Sequence, residues 1–348
     1  MSNNHNYFMQ RAIQLAKQGK FSVAPNPRVG AVVVHNNKII GEGYHAKFGE
    51  AHAEVNAIES VKDQRLLSES TFYVTLEPCS HRGKTPPCAD LILKHKIPRV
   101  VICNKDPFDQ VDGNGIKKLT DNGVAVITGI LEKRGRELNK RFFTFHEQKR
   151  PYIILKWAET SDGFISRKKA AINNNNWITN SLSKQLVHQW RAEEQAILVG
   201  RKTVETDNPQ LDCREFDGKN PIRLVIDPAA QLDHSKLIFN TSATTIVLNE
   251  MQSSKKGNIE YVQFEFGKNF MKAFNNFCFD RQIQSVFVEG GRTTLSEFID
   301  EENWDECRIF KNETKFGDGI LAPEFNGILM AEELLNGDHL STYFREIK

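Results

Sequence analysis

Apolar and polar positions alternate with two different periods along the first 148 residues. Apolar residues three or four positions apart predict helices, and short continuous apolar runs predict buried strands. The helices are predicted at residues 5–18, 51–61, 88–96, 115–122 and 131–145, and the strands at 29–34, 38–40, 71–75, 99–103 and 124–128. Strands that alternate with helices indicate a layered α/β sheet.

The polar segment His146–Pro151 interrupts this pattern and ends in a proline, which is typical of a domain boundary. The alternation then starts again. Strands are predicted at 152–157, 196–199, 222–226, 245–248, 285–288 and 308–317, and helices at 181–191 and 294–299. We therefore predict two domains, residues 1–148 and 149–348, each long enough to bury its own core.

Composition and charge exclude several classes of protein. The 348 residues are 39% hydrophobic and 26% charged, which is typical of a soluble globular protein. The net charge of +2 gives no bulk electrostatic reason to expect nucleic acid or a membrane as a partner. The first residues form no apolar signal region, and the six cysteines form no dense framework. We expect a cytoplasmic protein with reduced thiols.

Four residues of the first half predict a catalytic metal site: His52, Glu54, Cys79 and Cys88. One imidazole and two thiolates suit tetrahedral zinc, and three protein ligands leave the fourth position open, as in catalytic sites. Glu54 lies two positions after the histidine ligand, where it would act as the proton shuttle. A His-x-Glu segment followed by Pro-Cys-x-x-Cys is the signature of zinc nucleobase deaminases, and this chain departs from it only in the longer spacing between its two cysteines.

Two alternatives stay open from the residues alone. The zinc would be structural if a fourth protein ligand existed, and His45 and His81 are the candidates. The first domain could also be a zinc deaminase of another nucleobase or nucleoside, fused to a nucleotide-binding module. That class predicts a short spacing between the two cysteines, whereas Cys79 and Cys88 are nine positions apart.

The long loop between the cysteines carries a family resemblance. The string Thr75-Leu-Glu-Pro-Cys-Ser-His-Arg-Gly-Lys-Thr-Pro-Pro-Cys88 resembles the deaminase half of the bifunctional deaminase/reductase family of riboflavin biosynthesis. The segments Pro25–Gly30, Gly41–His45 and Asp112–Gly115 are also similar to that family. The resemblance implies a cytidine-deaminase-like three-layer α/β domain that deaminates 2,5-diamino-6-(5-phosphoribosylamino)pyrimidin-4-one. It implies substrate contacts by Asn26, His45, His81, Lys84 and Thr85.

The second half has a weaker signal of its own. Glu289, Gly290 and Gly291 follow a predicted strand and precede a predicted helix, an arrangement that can hold a phosphate group. The segments Lys156–Gly163 and Leu198–Pro209 resemble the reductase half of the same family. That resemblance implies a dihydrofolate-reductase-like α/β domain in which NADPH reduces the ribosyl group to a ribityl group.

The same resemblance implies roles for individual reductase residues. Asp207 would be the catalytic residue that relays a proton, with Lys156 as a second candidate. The implied cofactor contacts are Ala158, Thr203, Asp207, Gly290, Gly291, Arg292, Thr293 and Thr294. The implied substrate contacts are Trp177, Arg191, Asp207, Leu211, Arg214 and Glu289. A small phosphorylated pyrimidine is the implied partner, and the chain is expected to form a homo-oligomer, either a dimer or a tetramer.

Three segments depart from the family pattern. Asn56 stands where relatives often have a second histidine, and Pro107-Phe108-Asp109 replaces a more usual Pro-Asn-Pro. The asparagine run Asn173–Asn176 replaces a shorter loop in the reductase half. None of these departures removes a predicted zinc ligand.

Overall fold

The chain is described here from a computed structural model, which describes residues 2–19, 23–80, 86–108, 111–168 and 178–346. Residue contacts divide it into two compact units, Met1–Lys149 and Arg150–Lys348. No helix within the described ranges is long and apolar enough to span a bilayer.

The first unit alternates helices and strands. Its elements are α1 (Ser2–Ala16), β1 (Gly30–His35), β2 (Lys38–Tyr44), α2 (Ala53–Glu59), β3 (Thr71–Leu76), α3 (Cys88–Lys94), β4 (Arg99–Asn104), α4 (Asn114–Asp121), β5 (Ala125–Thr128), α5 (Glu132–Leu138) and α6 (Lys140–Gln148). The sheet order is β2-β1-β3-β4-β5. Strand β1 is antiparallel to both neighbours, while β3, β4 and β5 are parallel.

Strand β3 shows why this unit has three layers. Phe72 and Val74 point to one face, where they pack with residues of α2, α3 and α4. Tyr73 points to the other face and packs against α1. Successive side chains of a strand alternate between faces, so a strand covered on both sides reads as a continuous apolar run. The carboxyl ends of β3 and β4 meet at one edge of the sheet, where the candidate site lies.

The second unit contains a larger sheet. Its elements are β6 (Tyr152–Thr160), β7 (Phe164–Ser166), α7 (Ser181–Glu193), β8 (Ala196–Gly200), α8 (Arg201–Asp207), β9 (Ile222–Ile226), β10 (Thr245–Asn249), β11 (Ser254–Lys256), β12 (Ile259–Gln263), α9 (Phe270–Asp280), β13 (Ser285–Val288), α10 (Arg292–Asp300), β14 (Glu306–Asn312), β15 (Ile320–Leu321), β16 (Ile328–Leu335) and β17 (Asp338–Phe344). The main sheet has the order β11-β12-β10-β9-β8-β13-β6-β14-β17-β16, and β7 pairs with β15.

Both faces of the larger sheet are covered by helices. Val286 and Val288 of β13 pack with α9 and α10, whereas Phe287 packs on the side of α7 and α8. Strands β8, β13 and β6 are parallel neighbours in the middle of the sheet. Their carboxyl ends therefore lie side by side, which is where ligands bind in open α/β sheets.

Several features differ from the sequence predictions. The single helix predicted at 131–145 is two helices, α5 and α6, separated by Asn139. The side-chain amide of Asn139 accepts from the Arg28 backbone N–H and donates to the Arg28 carbonyl, both at 2.9 Å. This contact spans 111 positions, so local periodicity could not predict it. The elements that were not predicted are helices α8 and α9, the short strands β7, β11, β12 and β15, and the hairpin of β16 and β17.

Candidate active sites

Three potential metal ligands converge at the edge of the first sheet. The Sγ atoms of Cys79 and Cys88 lie 3.8 Å and 3.3 Å from Nδ1 of His52, and the three donor atoms all lie within 4.8 Å of one another. Among the described residues, these three form the one group of His, Cys, Asp or Glu side chains close enough to share an ion. Two sulfurs and one imidazole nitrogen are a donor set that fits zinc.

Local structure brings these ligands together. His52 is the N-cap residue of α2, and Cys88 is the first residue of α3. Cys79 follows β3, and its Sγ accepts the backbone N–H of Cys88 at 3.3 Å. The N-terminal ends of two helices therefore face the site, and their dipoles stabilise negative charge on the sulfurs.

The surroundings of the site favour the thiolate form of Cys79 and raise the pKa of the Glu54 carboxyl group. Hydrogen bonding from the Cys88 thiol, together with that from His52, lowers the pKa of Cys79 far below its usual range. Burial, together with the neighbouring Cys79, raises the pKa of Glu54 to about 7. Glu54 is only 4% exposed. A buried carboxyl group that titrates near neutral pH suits a general acid–base catalyst.

His45 and Asn26 form a polar wall beside His52. The His45 and His52 rings lie 5.6 Å apart between centroids. Nδ1 of His45 lies 3.0 Å from the Ala51 carbonyl oxygen, and Nε2 lies 3.2 Å from Nδ2 of Asn26. Because a carbonyl only accepts, Nδ1 carries the proton and Nε2 accepts from the amide. Burial lowers the pKa of His45, which agrees with a neutral ring.

The other residues that the sequence singled out for this site are not among the three donors. Asn56 does not face the ligands, because its Nδ2 donates to the Tyr44 carbonyl at 2.9 Å and supports the segment that bears His45. His45 is not part of the metal group, whose donors are the three ligands above. His81, Lys84 and Thr85 lie outside the described residues, as does Asp109.

Two buried carboxyl groups near the ligands were not singled out from the sequence. Glu77 is 3% exposed and Asp106 is 8% exposed. Burial raises the pKa of Asp106 to about 7. The available signal for Glu77 was its place in the Leu-Glu-Pro-Cys string, two positions before Cys79.

We expect Cys88→Ser to lose zinc. A serine hydroxyl does not replace a thiolate in a site of this donor set, because zinc in such sites is held by sulfur and nitrogen. Metal analysis of the purified full chain should show much less than one zinc per chain. Cys103→Ser is the matched control, since that buried thiol donates to the Leu131 carbonyl and takes no part in the ligand group. Full zinc occupancy in Cys88→Ser would remove Cys88 from the site.

In the second unit, two strand–glycine–helix turns lie side by side. Gly200 ends β8, and Gly290 and Gly291 link β13 to α10. The Gly200 N–H donates to the Gly290 carbonyl at 3.1 Å. A Cβ atom on Gly200 would lie 2.7 Å from Oγ1 of Thr294, and one on Gly291 would lie 3.2 Å from Oγ1 of Thr203. Added Cβ atoms would crowd these threonine side chains, and glycine at the N-terminal end of a helix lets a phosphate approach the backbone.

A buried ion cluster lies next to this cradle. Nε and Nη2 of Arg191 donate to the two carboxylate oxygens of Glu289 at 2.6 Å and 2.9 Å. Nζ of Lys156 lies 3.7 Å from Oε2 of the same carboxylate. Burial raises the pKa of Glu289, but the charges of Arg191 and Lys156 outweigh burial and bring it to about 2. Burial lowers the pKa of Lys156, and Glu289 opposes that effect.

The remaining predicted reductase residues are placed as follows. Arg191 also donates to the Asp212 carbonyl at 3.1 Å, and the half-exposed Arg214 pairs with the Asp212 carboxylate, so both arginines border one region. Leu211 is buried there with a positive φ of 51°. Asp207 is exposed at the end of α8. Ala158 lies in β6, Arg292, Thr293 and Thr294 begin α10, and Trp177 lies outside the described residues.

Comparison with known proteins identifies the family. Residues 2–104 match the cytidine and deoxycytidylate deaminase zinc-binding region, and residues 151–329 match the RibD C-terminal domain. The riboflavin biosynthesis protein RibD of Aquifex aeolicus is 39% identical over 333 residues, which cover 94% of this chain and 92% of that protein. The chain belongs to the RibD family. RibD of Escherichia coli is 33% identical, with 87% of this chain and 86% of that protein covered.

RibD structures also share the whole architecture. A diaminohydroxyphosphoribosylaminopyrimidine deaminase/5-amino-6-(5-phosphoribosylamino)uracil reductase from Thermotoga maritima matches with a TM-score of 0.88 and 37% identity, over 99% of both chains. RibD of Acinetobacter baumannii matches with a TM-score of 0.87 and 29% identity, over 100% of both chains. The predicted family, its α/β fold class and its pairing of a zinc-binding deaminase region with a reductase region are confirmed.

Proposed function

We propose that this RibD family member catalyses two successive reactions of riboflavin biosynthesis. The first unit removes an amino group, as ammonia, from 2,5-diamino-6-(5-phosphoribosylamino)pyrimidin-4-one by hydrolysis. The second unit then reduces the ribosyl group of the product with NADPH, which gives 5-amino-6-(5-phosphoribitylamino)uracil. The observation that carries the proposal is the convergence of His52, Cys79 and Cys88 beside the buried Glu54, in a chain that also has the reductase cradle.

In the deaminase site, the chain provides ligands, a proton shuttle and orienting groups. Zinc, when bound to His52, Cys79 and Cys88, supplies a Lewis acid that activates water at neutral pH. Glu54 is placed to take a proton and to deliver it to the departing amine. The neutral His45 ring and the Asn26 amide present polar groups that can orient the pyrimidine ring. His81, Lys84 and Thr85 stay predictions for the phosphoribosyl end.

In the reductase site, the chain binds the cofactor and supplies a proton. NADPH supplies the hydride. The glycine cradle at Gly290 and Gly291 would hold its phosphates, because glycine lets the backbone approach an anion and α10 begins directly after Gly291. Reduction at C1 of the ribosyl group also needs a proton at nitrogen. Two groups could supply this proton: Asp207 at the end of α8, whose pKa is raised by partial burial, and Lys156, whose Nζ lies 3.7 Å from the Glu289 carboxylate beside the cradle.

The wider setting follows from the same residues. Arg214, half exposed beside Asp212, suits the phosphate of the substrate, since guanidinium groups bind phosphate with paired hydrogen bonds. Arg191 already donates its paired N–H groups to Glu289, so it holds that carboxylate in place beside the substrate region. Two thiolate ligands need reduced cysteines, which supports the cytoplasm as the compartment. The edge strand β16 exposes Ile328, Leu329 and Met330 at about half of their surface, which supports a homo-oligomer formed through the second unit.

Each of the two sites is proposed to lie in a domain of its own, residues 1–148 for the deaminase and 149–348 for the reductase, and to work independently of the other. All residues of the proposed zinc site lie in the unit Met1–Lys149, and the cradle and the ion cluster lie in Arg150–Lys348. Each unit has hydrophobic clusters of its own.

Incubation of the full chain with the diaminopyrimidinone substrate tests the proposal directly. Without NADPH, we expect ammonia and the deaminated phosphoribosylamino-uracil. With NADPH, we expect the phosphoribityl product and one NADP⁺ for each substrate molecule. Mass spectrometry identifies both products. Release of ammonia from cytidine or another nucleoside, but not from this substrate, would instead support a zinc deaminase fused to a nucleotide-binding module.

A further inference from the structure

The Glu77 carboxylate accepts hydrogen bonds from four backbone N–H groups, none of which belongs to its own strand or turn. Oε1 accepts from Gly115 at 2.9 Å and from Ile116 at 3.1 Å. Oε2 accepts from Gly113 at 3.1 Å and from Asp106 at 3.3 Å. The side chain is only 3% exposed. A carboxylate that satisfies four amides fixes the positions of all of them.

These amides belong to the segments that follow β4 and begin α4, whereas Glu77 belongs to the segment that carries a metal ligand. Cys79 is two positions after Glu77. The Glu77 N–H also donates to the Asn104 carbonyl at 3.0 Å, which ties the end of β3 to the end of β4. The carboxyl ends of these parallel strands meet at the edge where the metal ligands lie.

A close backbone contact reinforces the same junction. A Cβ atom on Gly115 would lie 2.0 Å from the carbonyl oxygen of Pro78, the residue between Glu77 and Cys79. Gly113 has a positive φ of 85°, which lets the chain turn into α4. The start of α4 therefore packs directly on the backbone of Pro78, and the carboxylate of Glu77 holds it there.

We propose that Glu77 is a positioning residue of the deaminase: it holds the segments Lys105–Phe108 and Val111–Ile116 in register with Cys79. The proposal rests on the proposed zinc-dependent deamination. Glu77 does not touch the metal ligands through its side chain. It acts through the backbone, by fixing the geometry of the Pro78–Cys79 segment and of the Asp106 segment that borders the same edge.

Glu77→Gln tests the proposal in the full chain. The amide keeps one acceptor oxygen, and its NH₂ group faces two backbone donors, so two buried N–H groups lose their partner. At saturating zinc, we expect deamination kcat/KM to fall by about 10–100-fold, the usual effect of removing a group that orients metal ligands. In the cobalt-substituted protein, we expect the visible absorption bands to shift, because they report ligand geometry. Reductase kcat/KM should stay within about two-fold, since its site lies in the other unit.

Glu42→Gln is the matched control. It makes the same chemical change in the same unit and breaks the ion pair with Arg11, whose Nε–Oε1 distance is 2.6 Å, away from the ligands. It should keep the wild-type cobalt spectrum and deamination. If Glu77→Gln also kept both, the proposal would be overturned. Loss of activity with an unchanged cobalt spectrum would overturn it too, because Glu77 would then affect the reaction without changing the geometry of the metal ligands.

Two further arms keep the test decisive. If Glu77→Gln does not fold, Glu77→Asp replaces it, because a shorter carboxylate cannot reach all four amides. The same changes are expected at about 3–10-fold, and wild-type behaviour of Glu77→Asp would contradict the proposal. If the wild-type chain and Glu42→Gln release no ammonia, the proposed function fails, while the cobalt spectra still report on Glu77.

Discussion

Glu54→Gln is expected to lower deamination by about 10²–10⁴-fold, the usual contribution of a general acid–base group. Glutamine has nearly the same shape but cannot take up and release a proton at neutral pH. The ligands His52, Cys79 and Cys88 are unchanged, so zinc should stay bound at one per chain. Ammonia release and metal content, measured on the same preparation, check both statements.

Glu59→Gln is the matched control for this variant. It makes the same change on the same helix, α2, at an exposed position away from the ligands. It should deaminate like the wild-type chain. Glu54→Gln should also reduce deaminated substrate at the wild-type rate, because the reductase cradle lies in the second unit. Near-normal ammonia release by Glu54→Gln would remove Glu54 from the mechanism.

Glu289→Gln is expected to abolish most reduction and to destabilise the second unit. The change leaves the buried cations of Arg191 and Lys156 without their counter-charge. Removal of one partner from a buried ion pair costs about 3–5 kcal/mol in the free energy of unfolding. For a unit of this size, that corresponds to a fall of about 10 °C in Tm. NADPH oxidation and calorimetry of the full chain measure the two effects.

The pH dependence provides an independent check. The pKa of Glu289 is about 2 in the folded state, below the ordinary value of 4.5. A carboxyl group with a lowered folded pKa contributes stability above pH 4.5, and that stability is lost as pH falls toward 2. The wild-type second unit should therefore lose stability over this interval, and Glu289→Gln should lack that part of the slope.

Two more variants serve as comparisons for Glu289→Gln. One removes an ordinary ion pair and is a control for the loss of stability, and the other removes Asp207 and tests whether that residue serves the reduction. Glu260→Gln breaks a more exposed ion pair with Arg281 in the same unit and should cost about 1 kcal/mol or less. Asp207→Ala tests the proton relay that was predicted from the sequence. If Asp207→Ala abolished reduction while Glu289→Gln, still folded at the assay temperature, reduced at the wild-type rate, Asp207 rather than the Lys156–Glu289 pair would serve the reaction.

The sequence was sufficient to predict that His52, Cys79 and Cys88 come together, because their signal is local and chemical. Their role as zinc ligands stays a prediction. His52 and Glu54 lie two positions apart, and Cys79 follows an apolar run that is buried on both faces. Ligand type and spacing specify such a donor set before any tertiary contact is known. Strand β3 and helix α3 were predicted for the same reason, because each is recognised from a pattern of apolar residues within a few neighbouring positions. The reductase half was recognised mainly by resemblance, because a pair of glycines is a weak local signal.

Two regions of the second unit were not predicted, for different reasons. In one the helical pattern of apolar residues is present but was missed, and in the other strand β16 has no alternating pattern of buried and exposed residues. Helix α9 has Phe270, Phe274 and Cys278 at helical spacing, all buried in the core, yet no helix was predicted there. Strands β16 and β17 lie beyond the last predicted element. Strand β16 is exposed along almost its whole length, so burial did not impose the pattern by which strands are recognised.

Only the tertiary structure decided which distant residues meet. Lys156, Arg191 and Glu289 come from β6, α7 and the end of β13, and they form one cluster because β6 and β13 are parallel neighbours on which α7 packs. Glu77 meets amides from 29 to 39 positions away. Such contacts are satisfied hydrogen bonds and ion pairs between separate elements, and most buried polar groups have one. Residue type shows that a partner is needed, and only the fold determines which residue supplies it.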